Sequence, residues 1–158
     1  MLLGKKRKLG RMISELQVGE RLELTQAIED QDLLLYLGMT NDNNPLFIQH
    51  DYAAMTPFKK PIVPQILLTG IITAAVSKYL PGPGSSIEKQ SLTFPRPVYH
   101  YSKVTLHFEL SEVNVEAHHV KIIVTAHNEK KEVVVDGELV VCPPFPPKSI
   151  TSKVLENF

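Results

Sequence analysis

Apolar and polar residues alternate along Arg21-Leu22-Glu23-Leu24-Thr25, just after Gly19 and Glu20, and this predicts a half-buried strand. The pattern then changes. Asp30 and Asp32 precede Leu33, Leu34, Tyr36 and Leu37, which predicts a short helix with acids near its N-terminus, where the helix dipole favours them. Asp51 to Met55 predicts one or two further helical turns. Pro64 opens the longest apolar segment, through Ile66, Leu67, Leu68, Ile71, Ile72, Ala75, Val76 and Tyr79. Proline suits the first turn of a helix, and Pro81-Gly82-Pro83-Gly84 ends this one. Apolar residues cover most of its circumference, so the expectation is a helix buried on most sides.

Strand patterns fill the remainder. Ile87 to Phe94 runs up to Pro95-Arg96-Pro97, and Lys103 to Leu110 alternates without a break. His119 to Thr125 follows, and Val133 to Val141 supplies one or two more strands, with Asn128-Glu129-Lys130-Lys131 as the hairpin turn. Pro143-Pro144-Phe145-Pro146-Pro147 cannot pair in a sheet and is expected to lie extended. A strand, several helices and then an antiparallel meander is an α+β order, solved most economically by a sheet covering one central helix. The chain divides into a basic arm at 1–13, one domain at 14–144 and a Pro-rich tail at 145–158.

Composition narrows the classes of function. With 158 residues, 43% hydrophobic and 22% charged, the chain has the profile of one soluble globular domain. Lys plus Arg equals Asp plus Glu at 17 each, a balance that argues against nucleic-acid binding. No apolar run reaches membrane-spanning length. Lys5-Lys6-Arg7-Lys8 lies near the N-terminus with no apolar segment after it, so it is not a secretory signal, and the expected location is the cytoplasm. The arm reads as a solvated tail, with contact to an anionic surface or a carrier phosphate as the alternative. The single cysteine, Cys142, excludes an internal disulfide and ends a Val-rich run, which suits a buried structural thiol better than a nucleophile.

Chemistry concentrates between Tyr36 and Val63. The loop Asn41-Asp42-Asn43-Asn44-Pro45 breaks two helical segments with polar groups, as functional loops do. Asp between Asn residues before proline is equally a turn former, bonding its own backbone. None of His100, His107, His118, His119 and His127 has a second ligand at metal-binding spacing, so no metal site and no cofactor is expected, and His107 should face outward.

Asp42-Asn43-Asn44-Pro45-Leu46, Tyr52-Ala53 and Phe58-Lys59-Lys60-Pro61-Ile62-Val63 occur in the order of a known family pattern. With Pro81-Gly82, Gln90-Ser91-Leu92-Thr93-Phe94 and Pro97-Val98, they resemble the MaoC-like family of (R)-specific enoyl-CoA hydratases and dehydratases, over about Gly19 to Pro144. The resemblance implies a hot-dog fold, an antiparallel sheet wrapped around a long helix. It implies subunits paired through sheet edges, hence at least a homodimer. In that family an Asp and a His hold one water, which adds across a trans-2-enoyl thioester, while a backbone N–H at the head of the central helix polarises the thioester carbonyl.

Several positions depart from the pattern. Asp42 and Asn44 keep theirs, but Phe47 stands where the family has its histidine, and Gln49 replaces an acid. Asn41 replaces a Gly, and Pro64-Gln65 replaces the His-Gly pair that heads the long helix. Phenylalanine cannot move a proton. The candidate replacement is His50: were residues 47–50 one helical turn, positions i and i+3 would share a face. Solvent exposure on the short helix is the competing reading of His50. Thus Asp42 and His50 are the candidate catalytic pair, and Asn44, Phe47, Pro64 and Gln65 the candidate substrate-binding residues. Gln65 retains a backbone N–H for a thioester oxygen, and Phe47 reads as a pocket wall.

Three functions remain open at this level. One is an enoyl-CoA hydratase or dehydratase acting on an acyl-CoA or acyl-carrier thioester. Another is a non-catalytic acyl-CoA-binding chain, or a partner of a second hydratase subunit that supplies the histidine. The third and weakest is an acyl-CoA thioesterase.

Overall fold

Five strands form one antiparallel sheet, in the order β1-β3-β4-β5-β2. They are β1 (Arg21–Ala27), β2 (Ser86–Thr93), β3 (Lys103–Asn114), β4 (His119–His127) and β5 (Val133–Cys142). Four helices lie between β1 and β2: α1 (Asp30–Thr40), α2 (Pro45–Ile48), α3 (His50–Ala54) and α4 (Gln65–Lys78). This computed structural model describes residues 8–147.

The central strands follow their alternation closely. Val104, Leu106, Phe108 and Leu110 of β3 point inward, as do Val120, Ile122, Val124 and Ala126 of β4, all essentially without solvent contact. After Leu110 the pairing slips by one residue, from Leu110↔Ile122 to Glu112↔Lys121. Such a bulge at Ser111 re-phases the strand, so that Val113, not Glu112, returns to the core side. A second slip, between Ala126↔Val135 and His127↔Val133, lets both Val134 and Val135 be buried. The Asn128–Lys131 turn connects β4 and β5, with Asn128 and Glu132 bonded across it.

The sheet packs on α4 through Leu68, Ile72, Ala75 and Val76, a stripe spaced for one helical face. Burial on most sides is not what the helix shows. Ile66 is 51% exposed, and Thr69 and Thr73 bond the carbonyls one turn back, which satisfies their hydroxyls outside the core. The remaining apolar residues of α4, Ile66, Leu67 and Ile71 among them, line a groove.

The expected arm is docked from Gly10 onward. The amides of Gly10 and Arg11 donate to the carbonyls of Pro83 and Pro81, and Arg11 pairs with Glu20. A Cβ at Gly10 would come within 2.5 Å of the Pro81 oxygen, so this approach requires glycine. Lys5, Lys6 and Arg7 of the basic cluster, and the tail from 148 on, lie outside the described residues. At the other end Phe145 stacks on His118, with ring centres 3.9 Å apart. Cys142 is half-buried, and burial pushes its thiol further from a nucleophile's range. Among the described residues no helix is long and apolar enough to cross a membrane.

Candidate active site

The last turn of α1 prepares the polar loop. Asn41, its C-cap, adopts the left-handed conformation with φ 53 and ψ 32, and its amide donates to Leu37. Asn tolerates this geometry better than other side chains that carry a Cβ, so it does the backbone work of the glycine expected there. Asp42 follows, half-buried. Its Oδ1 accepts the Asn44 amide at 2.9 Å, and its Oδ2 accepts the Tyr36 hydroxyl at 2.6 Å. Asn44 in turn caps α2, its side-chain oxygen accepting the Leu46 amide at 3.0 Å with Pro45 at the first helical position. Asp42 therefore closes the turn with one carboxylate oxygen and takes the Tyr36 hydroxyl on the other.

The Tyr36 hydroxyl, and then the Asn44 amide, hold the Asp42 carboxyl below its ordinary range. The same bond pushes the Tyr36 phenol up. Asp42 is thus an ionised acceptor at neutral pH, with lone pairs still free for a further donor. Phe47, 9% exposed, packs its ring edge-on against Tyr36, with centroids 6.5 Å apart and planes at 78°.

His50 is not where one continuous turn would have put it. Gln49 is extended, with φ −110 and ψ 110, and divides α2 from α3. Phe47 and His50 therefore belong to different helices, and the i, i+3 geometry does not arise. His50 is exposed at the start of α3, and the partners of Asp42 are Tyr36, Thr40 and Asn44. His100 is half-buried, and neither of its buried ring nitrogens has a hydrogen-bond partner among the described residues. Burial pushes it below its usual value, outweighing Asp30 and the Ile62 backbone, which act the other way. His107 faces outward, 3.4 Å from Glu23, as its alternation predicts.

The head of α4 is anchored separately. The Ile62 amide donates to Leu46, and the Val63 amide to Val98, so the Pro61-Ile62-Val63 segment ties α2 to the start of α4. Pro64 is buried as the N-cap, and Gln65 is exposed beside a groove of about 290 Å³ shared with Phe58, Phe94 and Arg96. First-turn amides lack helical acceptors, so this end offers donors. A larger groove, about 1040 Å³, runs between α1 and α4 and is lined by Leu35, Tyr36, Met39, Ile66, Leu67 and Gly70 among others. The structure links Asp42 to Tyr36 and Asn44 by hydrogen bonds and seats Phe47 against Tyr36, while His50, Pro64 and Gln65 make none of these contacts. Tyr36 is the member the sequence reading did not single out. An aromatic with a hydroxyl one and a half helical turns before Asp42 was the available sign. Among the described residues no cluster of three or more His, Cys, Asp or Glu could hold a metal.

Comparison with known proteins converges on one family. A MaoC-like domain model matches residues 14–134. The chain is 33% identical to an (R)-specific enoyl-CoA hydratase of Rhodospirillum rubrum over 130 residues, covering 82% of this chain and 90% of the relative. It is 32% identical to a 3-hydroxybutyryl-CoA dehydratase of Methylorubrum extorquens, over 80% of each chain. The unliganded R-hydratase PhaJ1 of Pseudomonas aeruginosa superposes with a TM-score of 0.78 at 32% identity, covering 90% of this chain and 97% of that one. With a five-stranded antiparallel sheet packed on one long helix, and the Asp42–Leu46 loop tied through Leu46 to the segment that leads into that helix, the chain is a hot-dog protein of the MaoC-like (R)-specific enoyl-CoA hydratase and dehydratase family.

Proposed function

We propose that the protein catalyses reversible hydration of a trans-2-enoyl thioester, carried on CoA or on an acyl carrier, with Asp42 as the base. The observation that carries this reading is the Asp42 carboxylate itself: ionised, fixed by the Asn44 amide and the Tyr36 hydroxyl, and standing at the family's aspartate position. In the forward direction Asp42 takes a proton from water as the water oxygen bonds to Cβ. The alkene electrons move toward the thioester oxygen, where an amide at the head of α4, Gln65 being the candidate, stabilises the developing charge. A proton then reaches Cα. The groove beside Tyr36 suits the acyl chain, and a second copy of this chain suits the exposed face around it. No cofactor enters the scheme, since the substrate carries the CoA.

Consumption of short and medium enoyl-CoA, followed through loss of the conjugated thioester's absorbance, tests this directly. Asp42→Asn should lower kcat by about 10²–10⁴-fold, the usual contribution of a general base, while His50→Ala reports whether that imidazole assists. A wild-type protein that turns over no enoyl-CoA ends the reading. Phe47 favours one alternative in that event, an acyl-CoA-binding chain or a partner of a second hydratase subunit, and calorimetry with a saturated acyl-CoA would then show binding without turnover. Release of free CoA from the same ligand would instead indicate a thioesterase.

A further inference from the structure

The hydrogen-bond partners of Asp42 are Tyr36, Thr40 and Asn44, with no imidazole among them, although its family position leads one to expect one. Phe47 occupies the histidine's place in the pattern but cannot donate a hydrogen bond. Tyr36, whose ring rests edge-on against Phe47, donates one to Asp42 Oδ2 at 2.6 Å. Tyr36 is also the residue that joins Asp42 to the large groove, because it lines that groove while Asp42 and Phe47 do not. Its carbonyl is tied by the Thr40 hydroxyl at 2.8 Å, and Thr40 also accepts the Asp42 amide, so the two ends of the Tyr36–Asp42 bond are braced by one side chain.

We infer that Tyr36 is the positioning partner of Asp42 in the hydration reaction, its hydroxyl aiming the carboxylate while the Phe47 ring steadies the Tyr36 ring. This rests on the hydratase reading above. The Tyr36 hydroxyl aims one carboxylate oxygen, and the Asn44 amide aims the other, so the remaining lone pairs face a fixed direction. One carboxyl then suffices for the proton balance. Asp42 takes the proton from water as the C–O bond forms at Cβ, and returns it to Cα, with the reverse path for dehydration. Tyr36 stays protonated throughout and is not consumed. The bond it donates makes Asp42 a weaker base but, once protonated, a readier donor toward Cα.

Tyr36→Phe removes one oxygen and keeps the ring against Phe47, so the fold is retained. In an active wild-type background the variant should lose about 10²-fold in kcat, the scale of a misplaced catalytic group, with KM little changed. The acid limb of the kcat/KM profile should move to higher pH, because Asp42 loses the largest cause of its lowered value and must still be ionised to act. Adding Phe47→His to Tyr36→Phe should restore part of the lost kcat by returning a donor to the carboxylate. An active wild type whose Tyr36→Phe variant keeps its kcat and its acid limb overturns the role of Tyr36 and leaves the hydratase reading intact. A wild type silent on enoyl-CoA overturns both.

Discussion

Asn41 shows how a single residue can keep a backbone while changing a pattern. Its φ of 53 lies where most side chains meet their own carbonyl, and it directly precedes the Asp42 that the loop presents. The left-handed state costs roughly 1–2 kcal/mol for ordinary residues and little for Gly or Asn. Asn41→Gly should therefore leave the urea midpoint nearly unchanged. Asn41→Val should lower stability by about 1–2 kcal/mol and also disturb the carboxylate, since the Asp42 bonds to Tyr36 and Asn44 depend on that turn. Equal stability of the two variants would show that the turn is set elsewhere. Asp42 itself depends on three short-range partners, which is why its role as a turn former and its role as an acceptor cannot be separated by sequence alone.

At the scale of elements, β2 and β5 approach closely at Gly137. A Cβ there would lie 2.0 Å from the Ser91 carbonyl and 2.9 Å from Leu92 Cα, contacts with backbone that no side-chain movement relieves. Gly137→Ala should consequently open the β2–β5 pairing and destabilise the domain by several times the ordinary Gly-to-Ala difference in a strand, about 0.5–1 kcal/mol. Loss of amide protection along Ser86–Thr93, ahead of β3 and β4, is the hydrogen-exchange signature to look for. The elements themselves were legible wherever burial is one-sided: the alternation of β3 and β4, the hairpin at Asn128–Lys131, and α4 with its proline start. The breaks were not. A bulge at Ser111 and an extended Gln49 are single-residue conformations decided by tertiary pairing, and they leave no periodic trace. The site suffered from the same blindness. Asp42 and Asn44 could be placed from their pattern, but the exposed position of His50 followed from the break at Gln49, and the reach of Tyr36 from the capping geometry at Asn41.

At the scale of the whole molecule, an apolar face is left uncovered by the described residues. Leu35 is 73% exposed, Met39 78%, Ile66 51% and Tyr79 54%, and all four border the groove of about 1040 Å³. The sheet curls so far that Leu24 and Gln26 of β1 and Gln90 of β2 line the same groove, although these strands are its two opposite edges. Both edges therefore lie beside the exposed apolar residues, each with one row of backbone groups that no other strand among the described residues pairs. Contiguous apolar patches of this kind are seldom left open to water. A second copy would cover the face and pair an edge in the same step, and it would also enclose the groove beside Tyr36, which raises the strength of every polar contact near Asp42 by excluding water. The wild-type chain should accordingly run as a dimer or larger in light scattering at micromolar concentration. Leu35→Glu with Met39→Glu, two exposed positions on α1 whose replacement leaves the core of one copy untouched, should yield a folded monomer with the enoyl-CoA turnover largely lost. A wild-type monomer, or a monomeric variant that retains full turnover, would show that the groove works without a second copy and that its apolar lining serves the acyl chain alone.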